Sequence, residues 1–402
     1  MRIGDVKTVA VIGGGLGGLA LAQGLTRAGI DVTVYERDAA FDARAQGYRL
    51  SLDAMGRAAL AALLPAERAA RLVALEAREV GRGFAFADAR TMRPLFRFAD
   101  GGEAGVWTVS RPRLRALLLE GLRVEWGRRL ARFDADGDGV TLRFDDGSAA
   151  RAELVVGCDG VGSAVREQLR ASLAARAAAR LPTVVATGLA SVGGFVPRTA
   201  AWDALLPVAR AGAVQHLGPA GRSLFVSFCE QPDGAPVVLW AATRRAESVA
   251  AERPDLGPGW HPTLRRLVEE TPDEAIIEPL LLRTSRVTVP RAGDGPLAPS
   301  GRVTLLGDAA HVMPPQRGVG ANNAFEDARR MTRALVDGAG PLASRVAAYE
   351  REMLARARRA IDDSDDAARL CHVQNPLGAH LRNAALRIFA AGAVLTRRRA
   401  AA

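Results

Sequence analysis

Residues 8–36 read TVAVIGGGLGGLALAQGLTRAGIDVTVYE, and the fold turns on this stretch. TVAVI, residues 8–12, is a short apolar run of the kind that forms a strand covered on both faces of a parallel sheet. It runs straight into Gly13-Gly14-Gly15-Leu16-Gly17-Gly18, which satisfies G-x-G-x-x-G at Gly13, Gly15 and Gly18. Residues 19–28 are expected as a helix closed by Gly29 at the C′ position, and residues 31–36 as a second strand. Gly13 permits the tight turn, Gly15 lets the backbone approach a pyrophosphate, and Gly18 lets helix and strand pack closely. The helix N-terminus then offers free N–H groups and the positive end of its dipole to an anion. Glu36 closes the second strand 18 residues past Gly18, where a carboxylate takes a ribose diol. Arg37 follows it and is grouped with the same site. The acid argues against a 2′-phosphate here, but the unit alone does not separate FAD from NAD.

A chain of 402 residues at about 100–200 per domain should hold two or three packed domains. Apolar residues at 49% and charged residues at 24% exclude disorder, collagen and coiled coil as descriptions of the whole. Cys158, Cys229 and Cys371 are an odd number without metal-ligand spacing, so neither a disulfide framework nor a metal site is expected. Reduced thiols point to a cytoplasmic protein. The 54 basic residues exceed the 44 acidic ones and give a net charge of +10. Lys7 is the sole lysine. The arginines are spread along the chain rather than gathered in a stripe, so a solvated surface is expected and no nucleic acid. Glycines interrupt the apolar run 9–22, which argues against a signal peptide. No apolar stretch is long enough to cross a bilayer, and no membrane is expected as a partner.

Two later motifs identify the cofactor. Residues 154–157 (LVVG) lead into Cys158-Asp159-Gly160-Val161-Gly162-Ser163-Ala164-Val165-Arg166, after a hairpin expected over 139–144 and 148–153. Residues 302–306 (RVTLL) read as a strand ending in Gly307-Asp308-Ala309-Ala310-His311. The sequence VMPPQRGVGANN follows at 312–323, then a helix to about Leu335. Taken in order over nearly the whole chain, the three motifs resemble those of the single-component FAD-dependent aromatic hydroxylases, the p-hydroxybenzoate hydroxylase-like monooxygenases.

That resemblance implies an α/β fold: a Rossmann-like FAD-binding domain, a discontinuous antiparallel-sheet substrate domain, and C-terminal helices. It implies that Gly13, Gly15, Gly17 and Gly18 hold the FAD diphosphate and Glu36 the adenosine ribose. Asp308 would take the ribityl hydroxyls, and the turn carrying Gly318, Gly320, Ala321 and Asn322 would lie at the flavin pyrimidine edge. Arg111 would lie near the ribityl-diphosphate chain, and Arg44 and Gln46 would line the flavin face. Asp159 and Arg166 match a motif linked to both FAD and the nicotinamide donor. NAD(P)H is implied as a transiently bound co-substrate, with O2 and an aromatic or polyketide-like small molecule as the other reactants. The implied reaction is hydroxylation through a flavin C4a-hydroperoxide, with Baeyer–Villiger oxygenation, epoxidation and dehydrogenation as same-fold alternatives. Ala298 departs from the pattern, standing where many relatives carry tryptophan.

The chemistry of these residues agrees. Gly318 and Gly320 before a helix leave backbone N–H groups and positive dipole open to the anionic edge of a reduced flavin. Asp308 sits at the C-terminal end of a strand, where open α/β sheets place ligands. Pro314 and Pro315 lack N–H donors and would form a rigid, dry wall. These two prolines with Gly318 and Gly320 are the candidate catalytic positions. His311 reads as a structural hydrogen-bonder and Cys158 as a packing residue.

Residues 186–193, 212–217, 223–230 and 236–242 are β-like, and 260–271 reads as a short helix. An antiparallel sheet backed by a helix fits, with 81–98 adding strands to it and 341–364 helical. The expected FAD-binding parts are 1–80, 101–180 and 283–364. The substrate parts are 81–100 and 181–282, and a helical segment occupies 365–402. Candidate wall residues facing the flavin are Trp202, Gln215, Leu217, Phe225, Trp240 and Met313. His216 stays open between core and acid/base.

Overall fold

The computed structural model describes residues 6–43, 49–76, 81–98, 105–231, 233–246 and 253–400, with side chains to 391. Arg44 and Gln46 lie outside the described residues. Strand β1 (Thr8–Ile12), helix α1 (Leu16–Arg27) and strand β2 (Asp31–Glu36) form the expected βαβ opening. Helix α1 starts three residues before the expected position because Gly15, extended at φ −76°, serves as its N-cap. Two glycines in the first turn would ordinarily weaken a helix. Packing overrides this: a Cβ on Gly18 would stand 2.3 Å from the Gly13 carbonyl oxygen, and one on Gly17 2.8 Å from Leu306.

Next come β3 (Arg49–Leu52), α2 (Ala54–Leu63), α3 (Ala66–Leu72), β4 (Gly83–Asp88), β5 (Pro94–Phe98), β6 (Trp107–Ser110) and α4 (Arg111–Leu119). Strand β7 (Arg123–Trp126) precedes a three-stranded antiparallel sheet of β8 (Leu130–Ala135), β9 (Val140–Phe144) and β10 (Ala149–Ala152). Strand β11 (Leu154–Gly157), α5 (Ala164–Ser172) and α6 (Ala175–Ala178) follow. The middle of the chain holds β12 (Thr183–Pro197), α7 (Ala200–Leu205), α8 (Pro207–Arg210), β13 (Gly212–Leu217), β14 (Ser223–Glu230), β15 (Pro236–Arg245), α9 (Pro262–Glu269) and β16 (Ile276–Arg286). The last elements are β17 (Val303–Leu305), α10 (Asp308–His311), α11 (Gly320–Val336), α12 (Leu342–Cys371) and α13 (Pro376–Ala400).

One sheet has the order β17-β11-β1-β2-β7, all parallel. Strands β1, β11 and β17 are almost wholly buried, as expected of a doubly covered sheet, while β2 alternates and the edge strand β7 is partly exposed. Strand β3 pairs with β6 beside it. The second sheet has seven strands in the order β16-β12-β15-β14-β13-β4-β5, so the 81–98 segment does join it. Side chains alternate across a strand. Val214, Val226, Phe228, Val238 and Trp240 pack on one face with Trp202, Leu264 and Leu267 of the covering helices. Gln215, Leu217, Phe225 and Ser227 therefore point to the other face, toward β3 and the end of α12.

This corrects two expected wall residues. Trp202 and Trp240 belong to the helix-covered core, and the Trp240 indole donates to Thr271 Oγ1 at 2.8 Å. His216 shares that face. It is buried, and burial pushes its imidazole down to about 3, so it is neutral at pH 7 and belongs to the core. The seven-stranded sheet is tied to the elements around the parallel sheet by Ser285 N donating to Val312 O (2.8 Å), by Arg113–Glu230 (2.6 Å) and by Arg286–Asp365 (2.9 Å).

Candidate active site

The C-terminal ends of β1, β2, β11 and β17 converge on one edge of the parallel sheet. Gly13 has φ +108°, and a Cβ there would meet the Cys158 carbonyl oxygen at 2.4 Å. The first glycine loop thus lies directly on the Cys158-Asp159 corner. Gly14 N donates to Glu36 Oε2 at 2.7 Å, and Asp38 N to Glu36 Oε1 at 2.9 Å. Each carboxylate oxygen keeps a further lone pair for a ribose hydroxyl. Around the Cβ position of Gly15 no atom lies within 4 Å, and the start of α1 has no side-chain cap. That open, donor-rich corner fits a diphosphate.

Arg115, which the sequence reading passed over, is buried and brackets the loop. Its Nε donates to Gly14 O (3.0 Å) and its Nη1 to Phe41 O (2.7 Å). Arg111 begins α4 one turn earlier and is half-buried, while Arg37 is exposed.

In the second motif Ser163 caps α5 by accepting from Arg166 N at 3.0 Å, and Asp159 Oδ2 accepts from Val165 N at 3.2 Å. Asp159 Oδ1 is buried without a partner, and burial raises its carboxyl above the ordinary range. An acceptor left open at this edge fits a ligand hydroxyl. Arg166 is buried, and its donors are committed to protein. Its Nη1 donates to Ala309 O and its Nη2 to Val161 O, both at 2.8 Å, so it clamps the second motif to the third.

In the third motif Asp308 is exposed at the start of α10, after Gly307 at φ +63°. Asp327 fixes the turn from behind. Its Oδ2 accepts from Gly307 N (3.2 Å) and meets His311 Nε2 at 2.5 Å, and its Oδ1 accepts from Arg356. Burial alone would lower the His311 imidazole, but the charge and hydrogen bond of Asp327 raise it overall. Burial would likewise raise Asp327, and His311 and Arg356 bring it below the ordinary range. His311 is thus a buried ion-pair partner, in keeping with a structural role.

Pro314 is buried and Pro315 exposed. Gly318 turns at φ +65°, where a Cβ would crowd Ser51 Oγ at 3.2 Å, and nothing lies within 4 Å of a Cβ on Gly320. Ala321 is partly buried. The Asn322 side chain turns inward. It accepts from Asp53 N (3.1 Å) and donates to Ser51 O (2.9 Å) and Gly318 O (3.2 Å), so it braces the turn and leaves only its backbone to a ligand.

Arg49 lies between this turn and the substrate-side sheet. It donates to Ser51 Oγ (2.9 Å) and Thr108 Oγ1 (3.0 Å), and its guanidinium sits 5.3 Å from the Phe225 ring centroid. Burial pushes it down to about 10, so it stays charged at neutral pH. Among the described residues no carboxylate forms an ion pair with it.

A cavity of about 500 Å³ opens on the other side of α11, bordered by Asp53, Arg317, Arg356 and Asp363. It adjoins the Gly318–Gly320 turn through Arg317 and Val319. Its Arg317 pairs with Asp363 and its Arg356 with Asp327.

Comparison with known proteins agrees with this geometry. The family described as "FAD binding domain" matches residues 6–228 and 268–364. The chain belongs to this family. It is an FAD-dependent monooxygenase of the hydroxylase group, as its relatives are. The monooxygenase is 31% identical to 6-hydroxynicotinate 3-monooxygenase of Bordetella bronchiseptica, over 92% of this chain and 93% of the relative. It is 28% identical to the dual O-methyltransferase/FAD-dependent monooxygenase CTB3 of Cercospora beticola over 89% of its own length. It spans only 45% of that longer protein. In fold it is similar to Klebsiella pneumoniae HpxO, solved with FAD and uric acid. The TM-score is 0.76 at 22% identity, over 94% of this chain and 92% of that one.

Proposed function

We propose that this monooxygenase uses NAD(P)H and O2 to hydroxylate an aromatic small molecule held between the flavin and the Gln215–Phe225 face of the seven-stranded sheet. The observation that carries the reading is the convergence of three corners on one sheet edge: the open Gly15 turn, the unpartnered Asp159 oxygen and the exposed Asp308. Arg166 and Asp327 lock the corners together. FAD, when bound and reduced by NAD(P)H, supplies the activation of O2 from which one oxygen atom reaches the substrate.

The chain's own residues bind, orient and exclude water. The N-terminus of α1 at Gly15 holds the diphosphate, with Gly13, Gly17 and Gly18 bringing backbone and helix close enough. Glu36 takes the adenosine ribose and Asp308 the ribityl hydroxyls, and Arg37, Arg111 and Asp159 complete the rim. The backbone N–H groups of Gly320, Ala321 and Asn322 offer donors and positive dipole to the pyrimidine edge, which gains negative charge on reduction. Gly318 lets the turn pass without a side chain in the way, and Pro314 and Pro315 present a wall without N–H donors toward the reacting face. Arg49 is the cation available to an anionic oxygen of the substrate.

The test is direct. The purified protein should be yellow, should oxidise NADH or NADPH faster when a phenolic or carboxylated aromatic compound is added, and should yield a product one oxygen heavier. A colourless protein without affinity for FAD would end this reading. A desaturated or ring-expanded product would move it to a same-fold alternative.

A further inference from the structure

The outer face of α13 is hydrocarbon. Leu377, Leu381, Ile388 and Phe389 are 67%, 63%, 71% and 73% exposed, and every other exposed large hydrophobic among the described residues is at 52% or below. A single exposed leucine is ordinary, but four on one helix mark an interaction surface. With 3.6 residues per turn, Leu377, Leu381 and Ile388 fall within about 40° of one another, flanked by Ala384 and Ala391. Phe389 widens the stripe on one side.

The opposite face of the same helix is anchored. Leu386 packs with Phe86, Leu95, Leu217 and Cys371, Arg382 Nη1 donates to Leu370 O (3.2 Å), and Asn383 Nδ2 to Asp88 Oδ2 (3.2 Å). The helix is therefore held by its inner side while it presents an apolar stripe outward. Phe98, 52% exposed on the edge strand β5 that α13 packs against, adds to the apolar character of this end of the molecule.

Charge selects the occupant. From Pro376 on, the sequence carries five arginines and neither Asp nor Glu. Arg387 and His380 are exposed along one border of the stripe. A second copy of α13 would set cation against cation with no acid in the helix to answer it. An anionic lipid surface answers the charge and the apolar stripe together, as basic amphipathic helices lying in the interface do. No described helix is long and apolar enough to cross a membrane, so the helix would lie on the surface. We propose that α13 docks the protein on an anionic phospholipid bilayer through Leu377, Leu381, Ile388 and Phe389.

The test is co-sedimentation of the FAD-loaded protein with vesicles of phosphatidylcholine alone or with one third phosphatidylglycerol. The bound fraction should rise on the order of tenfold with the anionic lipid and fall as salt screens the charges. The double variant Leu381→Glu, Ile388→Glu should lose binding on the order of tenfold or more while keeping its flavin content and melting temperature. Failure to bind anionic vesicles, or equal binding by the double variant, overturns the proposal. So does light scattering that finds a dimer which the double variant converts to monomer, since the stripe would then be an interface between copies.

Discussion

Gly15 and Gly18 should respond in opposite ways to the same added methyl group. At Gly18 a Cβ would lie 2.3 Å from the Gly13 carbonyl oxygen, 3.0 Å from Cys158 Cβ and 3.1 Å from Val11 Cγ1. The nearest of these is backbone inside a buried parallel sheet, which cannot step aside cheaply. Overpacking of this kind costs about 1–3 kcal/mol, and the gain in helix propensity returns at most about 1 kcal/mol. Gly18→Ala should therefore destabilise the apo-protein by about 2 kcal/mol. Gly15 has an ordinary φ of −76° and no neighbour within 4 Å of a Cβ, so Gly15→Ala has no steric cost in the protein itself. Its apo-stability should stay within about 0.5 kcal/mol of wild type. The methyl would occupy the corner where a diphosphate approaches the backbone, and FAD affinity should fall about tenfold or more. Thermal melts of stripped protein, paired with FAD titrations followed by flavin fluorescence, separate the two effects. A Gly15→Ala variant with wild-type FAD affinity would refute the assignment of the diphosphate to this turn. An undiminished Gly18→Ala melt would refute the packing argument.

Three other perturbations follow from buried charge. Burial raises the Glu350 carboxyl from 4.5 to about 7, so the folded state retains a proton that the unfolded chain releases. Stability should fall as pH rises from 4.5 to about 7 and then level off, the loss being about 3 kcal/mol. Glu350→Gln can still accept from Leu297 N and donate to Thr304, so it should be more stable than wild type by that amount at alkaline pH and nearly equal in acid. A gain independent of pH would contradict this. Asp327→Asn leaves Arg356 and His311 without their carboxylate and should cost about 3–5 kcal/mol in denaturant titrations. A loss under about 1 kcal/mol would show that the triad is not a coupled ion network. Arg49→Met keeps an apolar stem against Phe225 but removes the cation. It should weaken binding of aromatic carboxylates about tenfold, leave their neutral amides unaffected and leave FAD content unchanged. Equal weakening of acid and amide would remove Arg49 from substrate recognition.

What could be read from the sequence was local. Strands β1, β2 and β11 have the expected bounds because a short buried strand running into a glycine corner is written in consecutive residues. The sequence places the start of α1 three residues late because two glycines disfavour a helix locally, and only the contacts of α1 with Leu306 and the Gly13 carbonyl explain their presence there. The side of the sheet taken by Trp240 could not be read, because PVVLWAATRR is apolar at both parities and offers no polar alternation to distinguish faces. That the Asn322 side chain braces the turn from behind could not be read, because its partner Asp53 lies 269 residues away, a pairing that spacing cannot reveal.

The same limit explains the two arginine clamps. In a chain whose basic residues are almost all arginine, a buried Arg115 looks like a solvated one, and the motif residue Arg166 does not show that it binds protein carbonyls, until their partners are known. Both act through guanidinium geometry, each reaching two carbonyls on separate segments at once. An ammonium on a single stem cannot reproduce that fork. The glycines therefore set the shape of each corner, while the arginines set how the corners stand relative to one another. Only the first of these is local enough to be read in a single line of sequence.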